Sequence, residues 1–291
     1  GGGGDTQTLR YGRGAHPSTL DPQNTTSGEV AKVTNQAYEG LIAFEPGEAA
    51  LTESLATDWS VDGQSVSGTL REYVTFHDGT DFTADDFIAT YRRFVDEEYE
   101  YYFEDASVYG PFTLGSWIDS IDAPGDYELS ITLTQEYAPF LRNLAMFTAV
   151  VISQDAIEGD TDLDEAMVGT GPFELETLDN SNNRIRLTAF DDYWGEAPNL
   201  DEVLFLTRGQ NSTRAQALVE EELDIIDGLD PDSMQIVDGS DSAEPRTATG
   251  LTIGYLPFTP SRVEAFRHRR VLQAISLDLN TPPTAQTITY W

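Results

Sequence analysis

The stretch Val74-Thr75-Phe76-His77-Asp78-Gly79-Thr80-Asp81-Phe82-Thr83-Ala84-Asp85-Asp86 decides how the rest of this chain is read. It opens in a strand-like run in which Leu70, Val74 and Phe76 share a face, with Glu72 as the exception. His77-Asp78-Gly79 supplies the turn that follows, where Gly79 is free to take a positive φ. Thr83 then caps a helix. Asp86 stands near the third helical position, and acids in the first turn suit the helix dipole. Phe87, Ile88, Tyr91, Phe94 and Val95 continue at helical spacing. A strand, a tight turn and a capped amphipathic helix in succession point to a mixed α and β architecture.

Upstream, residues 7–13 alternate with Leu9 and Tyr11 on one face, which predicts a first strand. A turn-rich loop follows from His16 to Pro22. Glu29 to Leu41 reads as a helix with Val30, Val33, Ala37 and Tyr38 on one side, ending at Gly40. Downstream, Tyr127, Leu129, Ile131 and Leu133 alternate with polar residues in the cleanest strand signal of the chain, and Ile185, Leu187 and Ala189 make another. Val203 to Leu206 reads as a strand buried on both faces. Thr213 to Leu223 reads as a helix with Ala215, Leu218, Val219 and Leu223 inward, and Leu251, Ile253 and Tyr255 suggest a further strand. Candidate boundaries lie at the Gly-rich loop 169–172 and in the acidic, Ser-rich stretch 227–245.

Charge is the strongest compositional signal. There are 51 acidic residues against 16 basic ones, for a net charge of -35, and Lys32 is the sole lysine. Acid is spread along the whole chain, so it describes a surface and not a tail. Such a surface repels itself in dilute buffer. In molar salt the Debye length falls to roughly 3 Å and that cost largely vanishes. Salt adaptation is the expectation, and nucleic acid is excluded as a partner because phosphate binding needs basic surface. With no cysteine, disulfides and thiolate chemistry are out. No run of eighteen apolar residues occurs.

Motifs of chemistry are weak. His16, His77 and His268 lie far apart, with no zinc spacing. Asp160-Thr161-Asp162-Leu163-Asp164 begins like a calcium loop but has Glu165 where Gly is needed and Gly171 where Glu is needed, so it reads as a solvated acidic loop. No nucleophile elbow or phosphate loop is present. His77-Asp78-Gly79 looks catalytic at first glance and is better read as a turn. Gly169-Thr170-Gly171-Pro172 could cradle an anion through its amides, or let the chain bend and approach a neighbour closely. Asn24-Thr25-Thr26 and Asn211-Ser212-Thr213 fit the glycosylation sequon at close to the frequency of chance. Neither a cofactor nor a metal is expected.

Several segments, in order, resemble the dipeptide/oligopeptide-binding family of extracytoplasmic solute-binding proteins of ABC importers. They are Pro17-Ser18-Thr19-Leu20-Asp21-Pro22, Tyr38-Glu39-Gly40-Leu41 and Leu55-Ala56-Thr57-Asp58-Trp59. The run from Leu70 to Asp86 comes next, then Gly169-Thr170-Gly171-Pro172-Phe173, Tyr193-Trp194-Gly195-Glu196-Ala197-Pro198 and Arg269-Arg270-Val271-Leu272-Gln273-Ala274-Ile275. Val74 to Asp86 is the most specific of these.

The resemblance implies an α/β, periplasmic-binding-protein-like fold of two lobes (type II, with an extra inserted subdomain). Lobe one and the start of lobe two are the parts expected here. Residues 1–45 and 168–250 are assigned to the main part of lobe one, 46–167 to the inserted subdomain, and 251–291 to the start of lobe two. For ligand contact it points to Thr26, Ser27, Gly28 and Glu29, which read equally well as a loop and helix cap. Tyr101, Tyr102 and Tyr109 are candidates for a cleft wall, with Tyr101 and Tyr102 as readily core. Implied partners are a peptide or other small solute (nickel chelates and sugars being family variants) and an ABC permease in the membrane, the protein itself being a monomer. Gly1 to Gly4 resemble the spacer after a lipid-modified cysteine, which would tether the protein outside the cytoplasmic membrane. Pro282-Pro283 and the tail from Thr284 depart from the family pattern, which raises the alternative of a truncated or frameshifted remnant. An acidic extracellular hydrolase is the third reading, without a recognisable nucleophile–base set.

Overall fold

The structure, a computed structural model, describes residues 6–104, 114–159, 161–246 and 258–278. Two compact units divide the chain at 207/208. In chain order, the first holds β1 (Thr8–Arg13), α1 (Gly28–Thr34), β2 (Ile42–Phe44), β3 (Leu51–Glu53), β4 (Ala56–Asp62), β5 (Ser65–Leu70) and α2 (Ala84–Val95). It continues with β6 (Ile118–Gly125), β7 (Glu128–Leu133), α3 (Phe140–Asn143), α4 (Gln154–Glu158), β8 (Phe173–Asp179), β9 (Arg184–Ala189) and β10 (Glu202–Thr207).

β1 runs parallel to β10, with Leu9 opposite Val203 and Tyr11 opposite Phe205. The ladder then passes from β10 to β9 to β8 as an antiparallel meander. Parallel pairing needs a long crossover, and here everything from α1 to β9 lies inside it. A separate antiparallel sheet has the order β4-β5-β7-β6. Its period-2 alternation sends Val66, Leu70, Leu129, Ile131 and Leu133 inward and leaves Ser60, Ser67 and Ser130 in one cross-strand row outside.

These sheets serve two apolar cores. One gathers the inner face of β4, β5 and β7 with Phe76, Phe82, Phe87 and Phe94. The other gathers Ile185, Leu187, Val203 and Phe205 with Leu20, Val33, Tyr38 and Ile152. α2 belongs to both, because Phe87 and Phe94 enter the first core and Ala89 the second. Its capping box is formed: the Asp86 carboxylate accepts from the Thr83 amide at 2.8 Å and from the Thr83 hydroxyl at 3.2 Å.

Several expected boundaries move. The first helix ends at Thr34, not Leu41, because Gly40 leaves to bridge Val150, where an added Cβ would stand 3.0 Å from the Leu144 carbonyl oxygen. β5 ends at Leu70 and not at Phe76. Tyr73 breaks the strand with φ +63°, although Val74 and Phe76 still reach the core. His77-Asp78-Gly79 is a turn, with Gly79 at φ +85° and its amide bonded to the Phe76 carbonyl at 2.9 Å. β10 buries Val203 and Phe205 on one face, while Leu204 and Leu206 opposite are half-covered.

The second unit holds α5 (Asn211–Val219), α6 (Pro231–Asp238), a 3-10 turn (Glu264–Arg267) and α7 (Arg269–Asp278). α5 starts and stops earlier than the apolar pattern suggests, and its inward residues include Arg214 and Ala217. The Arg214 guanidinium is buried against the carbonyls of Arg208, Asp227 and Gly228 at 2.7–3.2 Å. The strand expected at Leu251, Ile253 and Tyr255 lies outside the described residues. No described helix is long and apolar enough to cross a membrane.

Candidate functional site

The loop between β1 and α1 is polar in sequence and buried in the fold. Thr19, Asp21, Gln23 and Thr25, every second residue, are shielded from solvent. Each buried polar group needs a partner, and the loop supplies several itself. The Thr19 hydroxyl accepts from the Asp21 amide at 2.9 Å, the Asp21 carboxylate from the Gln23 amide at 2.8 Å, and the Thr25 hydroxyl from the Ser27 amide at 3.0 Å. These local side-chain turns curl the segment and hold its inner row in place.

Outside help comes from two sides. Asp164 accepts from the Thr19 hydroxyl and from the Asn24 side-chain amide, and its carbonyl accepts from the Leu20 amide at 2.9 Å. The acidic stretch that reads as a solvated loop is therefore fastened, at Asp164, to the segment leading to α1. On the other side stands α2. Asp86, Thr90 and Arg93, spaced i, i+4 and i+7, form a polar stripe only 6%, 3% and 8% exposed. Asp86 accepts from the Gln154 amide at 2.8 Å. The Thr90 hydroxyl bonds the Ile152 backbone, and its carbonyl accepts from the Gln23 side chain at 3.1 Å. Arg93 forks onto the Asp21 carboxylate at 2.6 and 3.2 Å and reaches the Gln23 side-chain oxygen at 2.7 Å.

Thr26, Ser27 and Gly28 emerge on the exposed side of this loop. Ser27 caps α1, its hydroxyl accepting from the Glu29 amide at 3.2 Å, and an added Cβ on Gly28 would meet nothing within 4 Å. Glu29 is turned inward instead: Oε2 accepts from the buried Arg13 guanidinium at 3.2 Å and Oε1 from Lys32 at 2.6 Å. Its side chain is thus occupied within the protein, which no sequence pattern signalled. Tyr101 and Tyr102 are half-buried and pack against the second core. Arg93 links their segment to the loop, because its carbonyl accepts from the Phe103 amide at 2.7 Å and its guanidinium lies 4.8 Å from the Phe103 ring centre. Tyr109 lies outside the described residues.

Residues 49–290 match the family of bacterial extracellular solute-binding proteins, family 5. The chain belongs to that family. A dipeptide-binding protein of Escherichia coli is 28% identical over 292 residues, covering 94% of this chain and 54% of the relative. The solved Helicobacter pylori binding protein DppA, in complex with the peptide STSA, superimposes with a TM-score of 0.74 at 32% identity, over 80% of this chain and 49% of that one. A dipeptide-binding protein from Pseudoalteromonas sp. SM9913, in complex with Met-Leu, gives a TM-score of 0.74 at 29% identity, over 81% and 50%. The fold is therefore α/β, of the type II periplasmic-binding kind, and this family 5 chain spans about half the length of the curated relatives it matches.

The Gly-rich segment of the family 5 chain makes a close approach. A Cβ on Gly169 would stand 2.1 Å from the Ala37 carbonyl oxygen, and one on Gly171 would stand 2.7 Å from the Gln36 carbonyl oxygen. The Gly171 amide donates to Ala37 and the Phe173 amide to Gln36. Half-buried Glu39 gathers the Thr170 hydroxyl, the Tyr193 hydroxyl and the Trp194 indole at 2.7–2.9 Å, and Arg71 lies over the Trp194 ring. Burial raises the Glu39 pKa, and these bonds and the Arg71 charge oppose the rise. Tyr193 and Trp194 are an aromatic anchor on that carboxylate. His77 has one ring nitrogen 3.0 Å from the Gly171 carbonyl and the other 3.4 Å from the Gly169 amide. Burial lowers its pKa, so the ring is neutral at pH 7. Both its nitrogens are thus engaged by backbone. The buried Ser153 hydroxyl donates to Asp78 and caps α4. The homologues are transport binding proteins.

Proposed function

We propose that the protein is the solute-binding component of an ABC importer, capturing peptides outside the cell and passing them to a membrane permease. The observation that carries this reading is the likeness, at 32% identity and a TM-score of 0.74, to a solved binding protein holding the peptide STSA. The exposed residues Thr26, Ser27 and Gly28, with Tyr101 and Tyr102, line one wall of the cleft; Tyr109, a further candidate, lies outside the described residues. Glu29 is occupied within the protein: its carboxylate is held by Arg13 and Lys32, its amide by the Ser27 hydroxyl and its carbonyl by Arg13, so it supports this wall and does not itself contact the ligand. Small, exposed side chains leave room for an extended ligand to lie along this wall. Residues 1–45 and 168–250 form the main part of lobe one, 46–167 its inserted subdomain, and 251–291 the entry to lobe two. The protein works as a monomer, tethered by lipid to the outer face of the cytoplasmic membrane, in a salt-rich medium that screens its charge of -35.

Isothermal titration of the native full-length protein in molar KCl, against di- to pentapeptides, tests this. Saturable one-to-one binding is expected. Absence of heat and of any ligand-induced rise in melting temperature across the peptide set would overturn it.

A further inference from the structure

We propose that Arg93 is a positioning residue for the solute-binding wall, holding the loop before α1 and the Tyr101–Phe103 segment in one geometry through its buried pair with Asp21. The inference deepens the function proposed above and rests on it for its ligand.

Three observations carry it. First, the pair is a fork on a fork: two guanidinium nitrogens meet two carboxylate oxygens of Asp21 at 2.6 and 3.2 Å, while one of them also reaches Gln23 at 2.7 Å. A bidentate contact fixes orientation as well as distance. Second, Asp21 is itself a keystone of the loop. Its carboxylate accepts from the Gln23 amide at 2.8 Å and its carbonyl from the Asn24 amide at 3.2 Å, so turning Asp21 turns the segment that ends in Thr26-Ser27-Gly28. Third, Arg93 holds the other candidate wall with the same residue, through the Phe103 amide on its carbonyl and the Phe103 ring beside its guanidinium.

Stability alone gives little reason for such an arrangement. Buried ion pairs are often replaceable by apolar groups without loss, because desolvation offsets the Coulomb gain. What an apolar replacement cannot reproduce is the directed fork from α2 onto Asp21 and Gln23, while the Phe103 amide, bonded to a backbone carbonyl, keeps its partner. A wall set before the ligand arrives saves the ordering entropy that a loose loop would lose on binding.

The test compares the native full-length protein with R93K and with the double variant D21N/R93M. Asn at 21 can still accept from the Gln23 amide, so the double variant removes the tether and both charges while leaving the local turn. Its melting temperature is expected to stay near that of the parent. Hydrogen exchange at the amides of residues 21, 23, 24 and 27 is expected to be about tenfold faster or more, as for loss of a charge-assisted bond. Amides of β5 and β9 should be unchanged. Peptide affinity should fall by a similar factor, and R93K, which keeps the charge but loses the fork, should lie between. Parent-like exchange in the loop together with parent-like affinity in the double variant would overturn the proposal and leave the pair a packing detail. If the double variant does not fold, R93K is read by the same two measurements. If the parent itself binds no peptide, the function proposed above fails while the exchange measurement still decides whether Arg93 orders the loop.

Discussion

Residues 19–25 and residues 169–172 are both irregular and mostly buried, yet they are held by opposite means. The first segment is bound by charge and by direction: Arg93 on Asp21, Asp164 on Thr19 and Asn24, and three local side-chain turns. The second is held by fit. Its glycines sit where a single carbon would collide with residues 36–37, and the groups around it are a neutral imidazole and a carboxylate whose pKa burial has raised. A polar loop that must keep its shape can thus be fixed by a strong partner or by leaving no room. The two should fail differently when perturbed.

The largest effect is expected at the charged segment. Arg93→Met leaves Asp21 buried without its fork and should cost about 3–5 kcal/mol, read by chemical denaturation. A loss under about 1 kcal/mol, no more than for an exposed pair, would place the two segments on the same footing.

At the fitted segment, Gly169→Ala forces a carbon against a backbone oxygen that cannot swing away and should cost about 1–3 kcal/mol. Gly28→Ala, at a position with open space around it, is the matched control and should stay within about 0.5 kcal/mol of the parent. Equal costs at the two positions would show that space is not what the glycines of residues 169–172 supply.

Acid should act on the fitted segment through His77 and Glu39. The folded-state pKa of His77 lies below its ordinary value of 6.5, so its contribution is complete above that pH and is lost as pH falls from 6.5 through the folded value. Glu39 has the opposite sign: its folded-state pKa is raised, so protonation relieves a burial penalty as pH falls through that value. His77→Gln should therefore flatten the loss of melting temperature below pH 6.5, and Glu39→Gln should steepen the net fall. An acid limb unaltered in both variants would remove titration from the account of residues 169–172.

Per residue, the smallest effects belong to the surface. Exposed charges are each worth about 0–1 kcal/mol, but in this chain they add with one sign. Melting temperature should rise steeply from dilute buffer to molar KCl, and by the same amount in the parent and in Arg93→Met, whose lost contact is buried. A flat or falling trend with salt would refute salt adaptation, and a rise confined to the parent would make the Arg93 pair a screened one.

Much of the fold was legible because periodicity reports one-sided burial. Leu129, Ile131 and Leu133, Ile185 and Leu187, and Phe87 with Phe94 all lie where alternation or helical spacing placed them. The Val74–Asp86 run was read correctly as a turn and a capped helix, since Gly79 and the Thr83–Asp86 pair act through neighbours in sequence. Tyr73 was misread as strand, because nothing local announces a left-handed tyrosine.

By itself, then, the sequence determined the α/β class, the family through its ordered segments, the acidic surface and the local caps and turns, all of which depend on residues a few positions apart. Tertiary structure alone decided the fate of the polar residues. Asp86 was legible only as a helix cap, and Thr90 and Arg93 carried no signal in the sequence, yet all three are buried. Glu29 reads as available until Arg13, from the neighbouring strand, takes its carboxylate. A polar side chain is stable in water or against a partner, and the tertiary partners of these four lie 16 to 72 residues away along the chain. No local pattern distinguishes those two outcomes; only the packing that excludes water does.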